Sequence, residues 1–424
     1  MLGFFIVCIL SAAFTMVAHR MASTIVTPPM VFLLIGALLA AGGLTDPHLA
    51  ESLLHPVAEI TLVVLLFLDA SQIDLRAFRH QHIWPTRMLL IGLPMAVALG
   101  TLAGMLLMPA WPFFAAALAA AILAPTDAAL GQAVVSNPDV PDRARRALTV
   151  ESGLNDGLAL PAVLFFASML AASESADATN WLAFGAGQIL LGPLAGAAIG
   201  AAGGSVLLLA KKYKTTSELY EGVGALALAG AAYLGASLIG GNGFISAFAA
   251  GLAFGAIVRG ACAFVYEFTE SEGQLLAWSA FLLLGAAVVP EAVAHLTLPM
   301  FALIMVSLFV VRPLAIWVSL LGTDATATTR IFFGWFGPRG LATALFALLV
   351  VDQIAHDFAE PILHLAVNAV WISALLHGVT AAPAARWYGA KEAGMAPIGC
   401  SAKPLVTRMD TARPAEPSPD GQGE

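Results

Sequence analysis

The chain has 424 residues, of which 59% are hydrophobic and only 11% charged, where a soluble globular domain carries about 25% charge. That balance excludes a soluble fold, and no stretch reads as a separate soluble domain. The formal net charge of −8 says little about partners, because the charges are sorted by position; no nucleic-acid partner is expected. Cys8, Cys262 and Cys400 lie too far apart for a disulfide framework or metal spacing and read as packing residues. Met1 to His19 lacks a basic leader and a small-residue cleavage site, so it reads as a retained helix.

Apolar segments long enough to cross a bilayer recur from end to end. They give thirteen expected spans, at 2–19, 28–44, 56–71, 88–108, 112–135, 147–171, 181–210, 219–239, 242–260, 274–290, 297–320, 330–351 and 360–382. The third is short and the seventh long enough to tilt. The fold class is therefore an all-α membrane protein.

Basic residues test this count. Arg20 follows span 1, Arg76, Arg79 and Arg87 span 3, and Arg143, Arg145 and Arg146 span 5. Lys211, Lys212 and Lys214 follow span 7, Arg259 span 9, Arg330 span 11, and Arg386, Lys391, Lys403, Arg408 and Arg413 span 13. Connections after even-numbered spans carry none, including Thr45–Pro56 and Ala172–Asn180. The alternation implies an N-terminus outside and a C-terminus in the cytoplasm. The tail from Pro383 to Glu424, rich in Pro, Ala, Gly and charge, reads as disordered and too short for a regulatory domain. Arg312 and Arg339 fall inside apolar spans. Arg312 reads as snorkelling or structural, near a cytoplasmic helix end.

Spans 5 and 12 each contain a break with a charge beside it: Ala124-Pro125-Thr126-Asp127, and Gly337-Pro338-Arg339-Gly340. Pro removes a helix donor and Gly weakens the helix. Irregular backbone at membrane depth belongs inside protein or along an aqueous cavity. Spans 5 and 12 are seven apart, so they run oppositely, as in two inverted six-helix repeats (spans 1–6 and 8–13) joined by span 7. Asp127 is placed to offset the positive helix ends and Arg339 the negative ones.

Span 6 opens Thr149-Val150-Glu151-Ser152-Gly153-Leu154-Asn155-Asp156-Gly157. Helical spacing sets Glu151 over Asn155 and Ser152 over Asp156, one polar face on an apolar helix. Carboxylate, hydroxyl and freed carbonyl oxygens suit a hard cation such as Na⁺. A buried carboxylate holds a proton or, ionised, a cation; competition between the two at one site is enough for exchange. Asn155 beside Asp156 leaves one titrating group where two acids might stand, which suggests one proton per cation and electroneutral exchange. Glu151 and Arg339 are expected to form a buried structural ion pair. Asp69, near the end of span 3, reads as a second acid or a helix-end charge.

These residues resemble the monovalent cation:proton antiporter family of the NhaP and sodium/proton-exchanger type. APTDAALG at 124–131 resembles its first broken helix, ESGLNDG at 151–157 its cation-site helix, and GPRGLATAL at 337–345 its Arg-containing second break. GNGFISAFAAGLAFG at 241–255 resembles a glycine-rich helix of the family. The resemblance implies an elevator-like antiporter in a bacterial cell membrane, working as a homodimer. Residues 1–86 and 219–290 would be mainly dimerisation and scaffold helices, 87–175 and 297–382 the moving core, and 181–210 the connector. It implies that Asp156 carries cation and proton, that Ser152 and the backbone of Thr126 are ligands, and that Asp69 joins the site, where prokaryotic relatives often have Glu. Asn155 and Asp127 complete the expected set. Partners would be the transported cation (Na⁺, with Li⁺ or K⁺ as alternatives), the proton and lipid, with no cofactor and no enzymatic residues.

The rival readings are a cation channel or a solute symporter on a similar scaffold, and an intramembrane protease. The acidic face of span 6 argues against an anion symporter, and the protease lacks its motif pairing. His80-Gln81-His82 lies in a basic loop and makes a poor metal site. His48, His295, His356 and His364 are candidate pH sensors that nothing in the sequence ranks.

Overall fold

The computed structural model describes residues 6, 9–16, 27–73, 83–127, 130, 132–135, 137–174, 178–258 and 263–395. Cys8, Cys262, Cys400 and the 80–82 run lie outside these, as do Arg20, Arg76, Arg79, Arg259, Lys403, Arg408 and Arg413. Among the described residues all regular structure is helical. Residues 9–16 are helical, followed by α1 (Pro28–Ala41), α2 (Pro47–Ser71), α3 (Ile83–Leu107), α4 (Phe113–Leu123), α5 (Asp142–Glu174) and α6 (Ala178–Lys212). Then come α7 (Glu218–Leu238), α8 (Gly243–Val258), α9 (Ala263–Ala287), α10 (Leu298–Ser319), α11 (Ala327–Trp335), α12 (Leu341–Val351) and α13 (His356–Met395). Seven of these are long and apolar enough to cross a membrane, and the protein is an integral membrane protein.

Two expectations change. The third span is not short: α2 begins at Pro47, where Asp46 caps it by accepting from His48 N at 3.0 Å. Pro56 lies inside the helix rather than before it, so Thr45–Pro56 is mostly helix, not a connection. One missing donor costs a single helical bond, which a membrane helix tolerates. At the other end, α13 runs through Pro383 to Met395, so the segment after Pro383 starts as helix. Packing holds it: Tyr388 is buried, stacks on Phe332 with centroids 4.2 Å apart, and lies 3.1 Å from Thr329 Oγ1.

Close helix contacts use small residues, as expected where lipid supplies no hydrophobic drive between helices. A Cβ at Gly251 or Gly255 of α8 would overlap the backbone carbonyls of Phe67 and Ser71 on α2. That contact sets α2, and Asp69 with it, against α8.

α3 and α10 share an unusual device. Each contains one π-helical turn, Met88–Gly92 and Ser307–Val311, directly before Leu93-Pro94 and Arg312-Pro313. The N–H groups of Leu93 and Arg312 donate five residues back, to Met88 O and Ser307 O. Wide turns of this kind recur at functional sites, and both helices flank the crossing described next.

Candidate functional site

α4 ends at Leu123, and the chain continues without regular structure through Pro125, Thr126 and Asp127. α11 ends at Trp335 and α12 begins at Leu341, with 336–340 non-helical between them. Each helix end leaves orphan backbone groups that burial would make expensive. The two breaks satisfy one another. Arg339 Nη1 donates to the carbonyls of Ala124 (2.7 Å) and Pro125 (3.0 Å), at the negative end of α4. Asp127 Oδ2 accepts from Leu341 N (3.0 Å), at the positive end of α12. Asp127 N in turn donates to Pro338 O (2.9 Å). Gly340 is required here, because a Cβ would overlap the Asp127 carboxylate.

The expected Glu151–Arg339 ion pair does not form. Glu151 pairs with Arg312: Nη1 reaches Oε1 at 3.2 Å and Nη2 reaches Oε2 at 3.3 Å, a bidentate contact between side chains 5% and 6% exposed. Nη2 also donates to Phe336 O at 3.1 Å, closing the negative end of α11. Arg312 therefore does not snorkel. Helical spacing carries no information on which of two intramembrane arginines faces a given acid. The π turn before Pro313 is the local feature that accompanies the placement of this guanidinium. Gly337 leaves it room, since a Cβ there would overlap the Arg312 side chain. A small cavity lined by Met88, Gly92, Ala96, Glu151, Arg312 and Ile316 lies beside the pair.

Thr126 connects the first break to α5. Ser152 Oγ donates to Thr126 O at 3.0 Å and lies 3.3 Å from its hydroxyl. Asn155 Nδ2 donates to Thr126 Oγ1 at 2.5 Å, and Thr126 Oγ1 lies 3.4 Å from Glu151 Oε2. Asp156 follows on the same helix. Its Oδ1 and Asn155 Oδ1 are both buried acceptors with no hydrogen-bond partner among the described residues. The electrostatic neighbours of Asp156 are Asp69, Asp127 and Glu151, all acids. Asp69 sits on α2 beside Gly153 of α5: a Cβ on that glycine would lie 3.8 Å from the Asp69 Cβ. Of these acids, Glu151 has Arg312 and Asp127 has a helix N-terminus, whereas the charged groups acting on Asp156 among the described residues are themselves acids. Ser152 and Asn155 thus both bond Thr126 at the first break, and Asp156 follows Asn155 on α5.

Sequence reading missed the residues behind the second break. Ser373 Oγ accepts from Arg339 N at 2.7 Å and lies 3.1 Å from His377 Nδ1. His377 Nε2 reaches Trp335 O at 2.9 Å. The Ser and His recur at i and i+4 on α13, a pattern visible in the sequence, but nothing there links them to a break in another helix.

Residues 6–387 match the family model described as sodium/hydrogen exchanger, transmembrane. The chain belongs to the sodium/hydrogen exchanger family. Among its relatives is the K⁺/H⁺ antiporter NhaP of Alkalimonas amylolytica, 26% identical over 390 residues, which cover 89% of this chain and 65% of that one. The K⁺/H⁺ antiporter NhaP2 of Shewanella baltica is 27% identical over 399 residues, covering 91% of this chain and 66% of the other. The chain thus spans about two-thirds of the length of these relatives. Its fold matches that of the sodium proton antiporter MjNhaP1 from Methanocaldococcus jannaschii at pH 8, with a TM-score of 0.70 at 22% identity, over 91% of this chain and 98% of the other.

Proposed function

We propose that this exchanger is a secondary antiporter that moves a monovalent cation against protons, with Asp156 as the group that holds either. One observation carries the reading: Asp156 has acids for electrostatic neighbours and keeps a buried oxygen without a hydrogen-bond partner among the described residues. A carboxylate in that setting is stable only with a cation or a proton on it. Asn155, Ser152 and the Thr126 backbone supply neutral oxygens, and Asp69 and Asp127 complete the acidic wall. The cargo is Na⁺ or a close relative, Li⁺ or K⁺; the names of the NhaP relatives specify K⁺ and that of MjNhaP1 sodium. Glu151 and Asp127 are already compensated and Asp69 is assigned to the fixed acidic wall, so Asp156 is the one carboxylate that changes its occupant. Exchange is then one proton per cation and electroneutral. The proposed motion is elevator-like, in a homodimer, with the N-terminus outside and the basic connections in the cytoplasm of a bacterial cell.

The test is purified protein in liposomes with a trapped pH dye and an imposed proton gradient, to which Na⁺, Li⁺, K⁺ or choline is added in turn. Proton efflux that follows a metal cation and not choline, and that disappears in Asp156→Asn, supports the antiport reading and names the ion. Folded protein that answers no cation between pH 5 and 9 sinks it in favour of the channel or symporter.

A further inference from the structure

Away from the crossing, a second set of ligating side chains gathers at the other end of α10 from the basic connections. α9 passes through a short helix, Val289–Ala294, to Thr297, the cap of α10. Glu291 and His295 lie on this passage, and His364 faces them from α13. One ligand atom from each lies within 4.8 Å of the other two. We propose that Glu291, His295 and His364 form a binding site for a divalent transition metal of the Zn²⁺ type.

Three features argue for a site rather than a chance meeting. First, the scaffold is fixed. Asn368, fully buried one turn beyond His364, donates through Nδ2 to Ala292 O (2.6 Å) and His364 O (2.9 Å), and its Oδ1 accepts from Trp371 Nε1 (2.8 Å). The short helix is thereby tied to α13 at the level of the cluster. Second, His295 is oriented as a ligand. Its Nδ1 lies 3.0 Å from Glu291 O; donating there places the ring proton on Nδ1 and leaves the Nε2 lone pair for a metal. A backbone carbonyl in this position is the usual outer partner of a metal-bound imidazole. Third, the two rings face each other, with centroids 5.2 Å apart and planes 12° from parallel, and His364 is 6% exposed while Glu291 and His295 are exposed. One ligand is buried and two are presented from the surface. Tetrahedral Zn²⁺ with bonds of about 2.1 Å needs donor separations of about 3.4 Å, and imidazole lone pairs lie in the ring planes, so closure requires the exposed His295 ring to turn out of its parallel stack on His364 and the Glu291 side chain to swing inward.

Two imidazoles and one carboxylate suit Zn²⁺ and disfavour Ca²⁺ or Mg²⁺, which prefer all-oxygen shells. Glu360, one turn before His364 on α13, pairs with His356 at 3.3 Å and lies outside the cluster, so water would fill the remaining position. Bound metal would clamp the passage between α9 and α10 to α13.

The experiment is a Zn²⁺ titration of the full chain, freed of any affinity tag, in competition with a chromophoric chelator. One saturable Zn²⁺ per chain is expected. Glu291→Gln and His295→Ala, both exposed and so safe for folding, each weaken binding at least tenfold. Asp156→Asn binds as the wild type does, which separates this site from the transport reading. Co²⁺ should give visible absorption bands in the wild type and none in His295→Ala. Absence of saturable Zn²⁺ binding, or binding and Co²⁺ bands undiminished in both variants, overturns the assignment.

Discussion

The buried Glu151–Arg312 pair yields the sharpest test of the site's architecture. Both side chains are almost fully enclosed, so replacing one strands the other as an uncompensated charge. Arg312→Met should destabilise the protein by about 3–5 kcal/mol, and Glu151→Gln by a similar amount. The double variant removes both charges at nearly constant volume and should fall well short of the sum, with a coupling of about 2–3 kcal/mol. Arg312 also holds Phe336 O at 3.1 Å; that loss is common to both legs carrying Arg312→Met and cancels from the coupling. The same cycle with Arg339→Met in place of Arg312→Met should show weaker coupling to Glu151, because Arg339 is engaged by Ala124 O and Pro125 O. Reversible unfolding in detergent–SDS mixed micelles measures all these differences. If Glu151 couples to Arg339 as strongly as to Arg312, or to neither, the assignment of the pair is wrong.

Other consequences follow from the same geometry. Gly340→Ala drives a Cβ into the Asp127 carboxylate and should lower cation-dependent proton efflux at least tenfold, whereas Gly224→Ala, at a position with open space around it, should leave efflux unchanged. Ser152→Ala removes a hydroxyl that both braces Thr126 O and faces the proposed ion. It should raise the cation concentration for half-maximal efflux several-fold with a smaller effect on maximal rate, as a concentration series would show. At the basic end of the bundle, Arg143 and Trp84 both bond Asp324 and hold its carboxyl below the ordinary range. A depressed folded pKa stabilises above the unfolded value, near 3.9, and that stability disappears as pH falls through the lower folded value. Asp324→Asn should therefore change the pH profile of transport between 5 and 9 by nothing measurable, and its effect on unfolding at pH 7 should stay near or below about 1 kcal/mol because the pair is exposed.

Much of this was legible in the residues. The described helices overlap the expected apolar spans, with the boundaries at Pro56 and Pro383 displaced, and both breaks fall at stretches with Pro or Gly that weaken a helix ladder. The polar face of α5 was equally plain from the spacing of Glu151, Ser152, Asn155 and Asp156. What failed was partner choice and punctuation. Arg312 beside Pro313 looked like a helix-end residue, since a π turn leaves no composition signature. Pro56 and Pro383 looked like boundaries, yet tertiary packing outweighs one lost hydrogen bond. The roles of Ser373 and His377 depend on contacts between α13 and the second break, more than thirty positions away in sequence from the former to Arg339, and no local pattern encodes them.

The reciprocal bonding of the two breaks also restricts how the protein can change shape. Prising them apart would strip Arg339 of two carbonyls, Asp127 of the Leu341 amide and Pro338 of its donor at once, each a buried group whose exposure to an apolar interior costs on the order of 1–3 kcal/mol. A gate that opens at one break is therefore expensive, whereas displacing the knot intact breaks none of these bonds. The proposed elevator-like motion would keep this knot whole: the ion's surroundings would travel with it, and the wall they face would alternate.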